Sequence, residues 1–312
     1  MSELNTKIYV AGHNGLVGSA IVRELRRKGF TKIITSNKKK LDLTNQKSTL
    51  NFLKKTKPNF IFIAAAKVGG IYSNKTYKAD YIYQNLTIQS NLIHGAYLVG
   101  IKNLIFLGSS CVYPKKCKQP IKEKYLLTGE LEATNDAYAI AKIAGIKMCQ
   151  SYNEQYGTNY MCLMPTNTFG EKDKYDKLNS HFLPALIKKI HDLKNNKKNK
   201  LILWGNGKAK REVLHVDDLA NACVYFMNKR IKNSIINIGT GKDYSIRYYA
   251  NLMKKIILPN KKIFIKYDPS KPNGTLRKVL DVSQAKKYGW KSKISLKKAI
   301  IKTYQSYLKE IK

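Results

Sequence analysis

Tyr138 and Lys142 stand four residues apart in Asn135-Asp136-Ala137-Tyr138-Ala139-Ile140-Ala141-Lys142, a segment with a helical pattern. On a helix that spacing stacks a phenol beside an ammonium on one face. A nearby cation lowers a phenol pKa from its reference of about 10. Such a Tyr can give a proton to the alkoxide formed when hydride reaches a ketone, while the Lys also holds ribose hydroxyls of a nicotinamide cofactor. Taken alone, a Tyr and a Lys in a chain this rich in both are better read as surface residues. The balance shifts with Gly108-Ser109-Ser110-Cys111-Val112-Tyr113-Pro114, which directly follows an apolar run. There Ser109 lies where it can share a carbonyl oxygen with Tyr138.

These groups need a scaffold that brings them to one edge. The runs Lys7–Val10, Lys32–Thr35, Phe60–Ile63 and Asn103–Leu107 alternate with amphipathic segments, and a fifth, Tyr160–Met164, ends at Pro165. This pattern predicts an α/β fold with a doubly wound parallel sheet, whose ligands bind at the carboxyl ends of the strands. After Pro165 the alternation fades, so a smaller second α/β region is expected. Val213–Ala220 and Ile235–Gly239 read as returns to the sheet. The expected division is therefore interleaved: residues 1–164 plus about 212–240, and about 165–211 plus 241–312. No internal repeat is visible.

Gly12-His13-Asn14-Gly15-Leu16-Val17-Gly18 sits between the first strand and a helix. Its glycines suit a tight turn and close approach to a pyrophosphate held by free N–H groups. Turns and close helix packing use glycines too, so the spacing alone is a weak signal. An acid for an NAD ribose is expected about 20 residues on. Instead the second strand ends in Ser36-Asn37-Lys38-Lys39-Lys40, which would welcome a 2′-phosphate and favours NADPH, although the lysines are equally a solvated loop. Asp42 either reaches the adenine edge or caps a helix.

A glycine loop, a Ser after the fourth strand and Tyr-x-x-x-Lys, in this order, resemble the extended short-chain dehydrogenase/reductase family. Four further stretches resemble its branch that converts GDP-4-keto-6-deoxy-D-mannose to GDP-L-fucose: Ala64–Ile71, Ser109–Pro114, Pro165–Asn167 and Asn179–His181. The resemblance implies NADP(H) as cofactor, 3,5-epimerisation followed by 4-reduction, and a homodimer pairing helices around 80–100 and 138–155. It implies Cys111 as base and His181 as acid in epimerisation, with Ser109, Tyr138 and Lys142 for reduction. It also implies cofactor contacts at Leu43, Ala64, Ala65, Ala66, Leu107, Gly108, Pro165, Thr166, Asn167, Thr168 and His181, beyond those of the glycine loop and of Ser36 to Asp42. Lys189, Trp204, Arg211 and Asn273 fall where the family meets the nucleotide sugar. Two departures are visible: Lys189 stands where the family often has Arg, and Pro272-Asn273-Gly274 where some relatives have Pro-Asp-Gly. A related GDP-4-keto sugar such as a heptose, reduced with or without epimerisation, is the neighbouring possibility.

Composition bounds the alternatives. With 43% hydrophobic and 25% charged residues in 312, the chain is an ordinary globular one. Its 58 Lys and Arg against 20 Asp and Glu give +38, so an anionic partner comes first to mind. The lysines are spread rather than Arg-rich and interleaved with aromatics, which favours a solvated surface and a nucleotide substrate over nucleic acid. A non-catalytic dinucleotide- or nucleic-acid-binding protein would not need the complete Ser, Tyr and Lys set. No apolar run reaches the roughly 18 residues of a membrane span, and no signal segment precedes the first strand. Five cysteines lack metal-ligand spacing, so no metal and a cytoplasmic location with free thiols are expected.

Overall fold

The computed structural model describes residues 4–176, 180–194, 199–231, 234–270 and 275–311. The chain opens with β1 (Ile8–Ala11), α1 (Leu16–Arg27), β2 (Ile33–Ile34), α2 (Gln46–Thr56), β3 (Phe60–Ile63), α3 (Ile71–Thr76), α4 (Lys78–Leu98), β4 (Asn103–Leu107), α5 (Asp136–Tyr156) and β5 (Asn159–Pro165). It continues with β6 (Asn167–Phe169), α6 (Phe182–Asp192), β7 (Lys200–Trp204), β8 (Lys210–His215), α7 (Val216–Phe226) and β9 (Ile235–Ile238). The last elements are β10 (Asp243–Ser245), α8 (Ile246–Ile257), β11 (Phe264–Asp268), β12 (Arg277–Lys278), α9 (Ser283–Lys287) and α10 (Leu296–Glu310).

Six strands form one parallel sheet in the order β2-β1-β3-β4-β5-β9. β1 and β3 are buried at every residue, because helices cover both faces of a parallel sheet; this is why they read as continuous apolar runs. One face packs against α1 and α7 through Ile21, Leu25, Leu219 and Phe226. The other packs against α4 and α5 through Leu92, Ile93, Ile143 and Ile146. A third apolar cluster joins α6, α8 and α10 around Val213. None of the described helices is long and apolar enough to cross a membrane.

The return to the main sheet is narrower than the sequence pattern implies. Ile235–Ile238 rejoin it as β9 beside β5. Val213–His215 instead belong to β8, the centre of a second sheet in which β6, β10 and β12 are its partners. Val216–Ala220 open α7, which does pack on the main sheet's face. A short apolar run carries no information about which sheet will accept it, and here the second sheet does.

Two buried polar knots fix the second region against the first. Glu212, fully buried on β8, accepts hydrogen bonds from the backbone N–H groups of Gly241 (2.7 Å) and Leu280 (2.8 Å) and from the Thr240 hydroxyl (3.3 Å). Burial still pushes its pKa up against these bonds. Asn237 on β9 accepts from the Tyr113 hydroxyl at 2.6 Å and donates to the Ile121 carbonyl at 2.9 Å. The first knot holds the segment after β12 at Leu280, and the second holds the loop after β4 at Tyr113 and Ile121.

Candidate active site

Three elements meet at the carboxyl edge of the main sheet: the glycine loop after β1, the loop after β4, and the start of α5. In the first, Gly12 has φ +85°, and a Cβ there would lie 2.7 Å from the Ala65 nitrogen. A Cβ on Gly18 would lie 2.1 Å from the Gly12 carbonyl oxygen. The loop is thus wedged between Ala64-Ala65-Ala66, which leave β3 with the Ala64 N–H bonded to the Ala11 carbonyl at 3.0 Å, and the first turn of α1. Gly15 caps α1 with no side-chain acceptor, and the first turn holds no acid, so its N–H groups are available to an anion. His13 Nδ1 is buried with no partner, and burial followed by the Lys172 charge lowers its pKa. This cradle, with an orphaned polar atom beside it, fits a dinucleotide diphosphate. Asn14 is exposed, whereas Leu16 and Val17 pack against the core.

Beyond β2, Ser36 is half-buried and Asn37 and Lys38 are exposed. Asn37 Oδ1 accepts from the Lys40 N–H at 3.0 Å, turning the chain. Asp42 does not cap the next helix. Its Oδ1 accepts from the Thr44 N–H (3.0 Å) and hydroxyl (2.8 Å), which hold its carboxyl below the usual range, and Asn45 is the cap of α2. The Leu43 carbonyl accepts from Asn91 of α4 at 2.9 Å.

At the centre, Ser109 caps a short 3₁₀ turn, Ser110–Val112, accepting from the Cys111 N–H at 3.1 Å. It lies close enough to the Tyr138 hydroxyl to favour the ionised phenol. Lys142 is buried; its Nζ donates to the Leu107 carbonyl at 2.8 Å and lies 4.5 Å from the Phe106 ring centroid and 6.0 Å from that of Tyr138. The expected sign of the phenol shift is reversed. Burial first, then the Cys111 charge, pushes Tyr138 up, with the neighbouring Ser109 hydroxyl opposing. Burial also draws Lys142 down to about 7, so the ammonium is itself under strain as a charge and does not dominate its neighbour.

Cys111 is half-buried at the same edge. Its sulfur receives the Asn135 amide at 3.2 Å and the Lys278 ammonium at 3.6 Å. His181 sits at the N-cap of α6, open to solvent on one side. Enough protein surrounds its ring that desolvation, and then the Lys278 charge, lowers its pKa. Lys278 therefore faces both the thiol and the imidazole. Cys149, Cys162 and Cys223 are buried, and all five cysteines are free.

The wall between β5 and β8 comes from Pro165 to Thr168. Thr166 Oγ1 and Asn167 Nδ2 donate to the Glu212 carbonyl at 3.3 and 3.1 Å, and Thr168 Oγ1 to the Thr166 carbonyl at 3.1 Å. These side chains are committed to backbone and shape the wall. Further out, Lys189 on α6 lies 5.5 Å from the centroid of Trp204, whose indole is 43% exposed. Arg211 is placed differently from a free cation: its guanidinium donates to the Lys210 and Thr275 carbonyls, and burial lowers its pKa. Asn273, with Pro272 and Gly274, lies outside the described residues, as does Asn179.

A profile of the NAD dependent epimerase/dehydratase family matches residues 8–239. The chain belongs to that family. It is 48% identical to a GDP-L-fucose synthase of Arabidopsis thaliana, over all of this chain and 96% of that protein. It is 44% identical to the GDP-L-fucose synthase of Escherichia coli, covering 97% of this chain and 96% of the other. A GDP-mannoheptose C4 reductase from Campylobacter jejuni, solved with NADP bound, superposes with a TM-score of 0.90 at 38% identity, over 99% and 100% of the two chains.

For an epimerase/dehydratase family member, the sequence pattern left three contributors to this cleft unnoticed. Lys278 lies 167 positions from Cys111, and its only local signal is that it heads the apolar pair Val279-Leu280, as a residue at a strand end would. Asn135 was visible only as part of the Tyr138 segment. Phe106, the ring under Lys142, read as an ordinary core residue of β4.

Proposed function

We propose that the chain is an NADPH-dependent enzyme that epimerises GDP-4-keto-6-deoxy-D-mannose at C3 and C5 and reduces it at C4, making GDP-L-fucose. Full-length identity to GDP-L-fucose synthases supports the substrate and cofactor. The observation that carries the two-activity reading is the Cys111 thiol, held between an amide and the Lys278 ammonium in the cleft that also contains Tyr138. A plain reductase has no use for it.

In this reading the C4 ketone acidifies the protons at C3 and C5. Cys111 removes them, its sulfur held in place by the Asn135 amide and the Lys278 ammonium. His181 returns protons on the opposite face; its lowered pKa makes the imidazolium a stronger acid. The bound cofactor supplies a hydride to C4. Tyr138, kept protonated across the neutral range by burial, donates its proton to the developing alkoxide while Ser109 holds the same oxygen. Lys142 holds ribose hydroxyls from below, anchored by the Leu107 carbonyl.

Gly12–Gly18, with Ala64–Ala66, Leu43, Gly108 and Pro165–Thr168, would hold the cofactor. Ser36, Asn37 and Lys38, with no acid among them, take the 2′-phosphate. Residues 1–164 with α7 and β9 form the cofactor domain, and the second sheet with α6, α8 and α10 receives the GDP end. There Trp204 offers a stacking surface, and the Lys189 ammonium offers charge. The assembly is a cytoplasmic homodimer pairing α4 and α5, which expose Tyr83, Leu98 and Ile140. A sedimentation run giving only monomer at micromolar concentration would remove the dimer.

The test of the substrate is turnover. NADPH oxidation should be fast with GDP-4-keto-6-deoxy-D-mannose and yield GDP-L-fucose by NMR. Turnover only with a GDP-4-keto-heptose would move the chain to its heptose-reducing relatives.

A further inference from the structure

We propose that Tyr81 of α4 is a positioning residue for reduction: its ring holds the Tyr138 phenol where the C4 oxygen develops charge, and its own place is set by the loop after β3. The inference rests on the reading above in which Tyr138 gives the proton.

Tyr138 needs such a support. It is the third residue of α5, and a helical side chain lies back over the turn that precedes it, which here does not exist. On the other side the Lys142 ammonium lies one turn on, 6.0 Å from the ring centroid. The missing support comes from α4. The Tyr81 ring meets that of Tyr138 edge to face, with centroids 6.4 Å apart and planes at 80°. The two helix starts are tied together beside it, since Lys78 Nζ donates to the Ala133 carbonyl and to Asp136 Oδ1, both at 3.0 Å.

Tyr81 is itself held from the far side. It is buried, and its hydroxyl shares a 2.8 Å hydrogen bond with the Ser73 hydroxyl of α3. The Lys67 ammonium lies 5.6 Å from its ring centroid and pairs with Asp80 at 2.7 Å. A Cβ on Gly69 would overlap the Tyr81 hydroxyl, so the loop closes on this side chain with no spare space. Asn85, one turn further along α4, clamps the same loop: its Oδ1 accepts from the Lys67 N–H and its Nδ2 donates to the Lys67 carbonyl, both at 3.0 Å. That loop begins with Ala64-Ala65-Ala66, the wall of the cofactor cradle. Helix α4 therefore sets the spacing between this wall and the proton donor, and Tyr81 is the side chain that touches both the loop and the donor.

The test uses the full chain and reads the two chemical steps apart. Tyr81→Leu removes the ring and should slow NADPH-dependent reduction by about 10–100-fold, the effect of displacing a reacting group by about 1 Å. Because Asn85 still clamps Lys67, the KM for NADPH should stay within about twofold, and solvent exchange at C3 and C5, followed with NADP+ in place of NADPH, within about threefold. Tyr81→Phe keeps the edge contact and should reduce within about threefold of the unaltered protein. Gly69→Ala reaches the same ring from the loop: it should slow reduction by about tenfold by pushing on the Tyr81 hydroxyl, and adding Tyr81→Phe to it should restore most of the rate. That rescue also decides the matter if Tyr81→Leu does not fold. Reduction unchanged in both Tyr81→Leu and Gly69→Ala would overturn the inference. So would equal slowing of exchange and reduction, equal losses in Tyr81→Phe and Tyr81→Leu, or a Gly69→Ala loss that Tyr81→Phe does not relieve. If Tyr138→Phe itself reduces at the unaltered rate, the reading of Tyr138 as donor fails, and this inference with it.

Discussion

Gly18→Ala offers the sharpest test of the cofactor cradle. The added methyl would sit 2.1 Å from the Gly12 carbonyl oxygen and 2.9 Å from His13 Cα, and both neighbours are backbone with no rotamer to yield. An ordinary contact is about 3.2 Å or more, so the chain must open by about 1 Å. α1 cannot supply that movement, because Ala20, Ile21 and Leu25 are locked in the core. The glycine loop must move instead. Overpacking of this kind costs about 1–3 kcal/mol, offset by about 1 kcal/mol because alanine is the better helix former, so the net loss of stability is small. The effect on binding is larger: a loop displaced by about 1 Å misaligns the N–H groups of the cradle, and about 100-fold weaker NADP+ binding is expected. Calorimetric titration beside a thermal melt separates the two. Affinity within about threefold of the unaltered protein, with the melt unchanged, would mean that the diphosphate does not rest on this loop.

Tyr138→Phe should slow reduction by about 10²–10⁴-fold while leaving solvent exchange at C3 and C5, and Cys111→Ser should do the reverse; NADPH oxidation and proton NMR read the two steps, and loss of both in both variants would contradict separate roles. Lys278→Met should slow exchange by about 10–100-fold and reduction less, since it removes one charge-assisted contact to the Cys111 sulfur; equal slowing of both steps would make it a substrate-binding lysine only. Stability should fall with acid through His215, whose burial lowers its pKa to about 4. The unfolded chain takes up a proton near pH 6.5 and the folded one only near 4, so this stabilisation is complete at neutral pH and is lost as pH falls between those values; at pH 5 the loss is about 2 kcal/mol. His215→Asn, which can still cap α7, should show a smaller melting shift between pH 8 and pH 5 than the unaltered protein, and an equal shift would assign the acid sensitivity elsewhere.

Much of the cofactor half was legible because its signals are local. The glycines of residues 12–18 must be adjacent in sequence to make one turn, and Tyr138 and Lys142 share a helix face by spacing alone. The parallel strands announced themselves as unbroken apolar runs because helices bury both of their faces. What stayed hidden depends on distant parts of the chain. Lys278 reaches Cys111 because β12 pairs with β8 and the segment after it is tied to Glu212 through Leu280. The sign of the Tyr138 shift needed burial, which the pairing with Lys142 does not report. Arg211 was marked as a cation for the ligand, yet carbonyls of its own strand and of the next segment occupy its guanidinium.

The central claim is that one cleft performs both epimerisation and reduction. Turnover of GDP-4-keto-6-deoxy-D-mannose with NADPH in deuterated water, followed by NMR and mass spectrometry of the sugar, tests it directly. The account predicts GDP-L-fucose carrying deuterium at both C3 and C5. A product reduced at C4 with no deuterium at either carbon would contradict it and leave Cys111 and His181 without their assigned work.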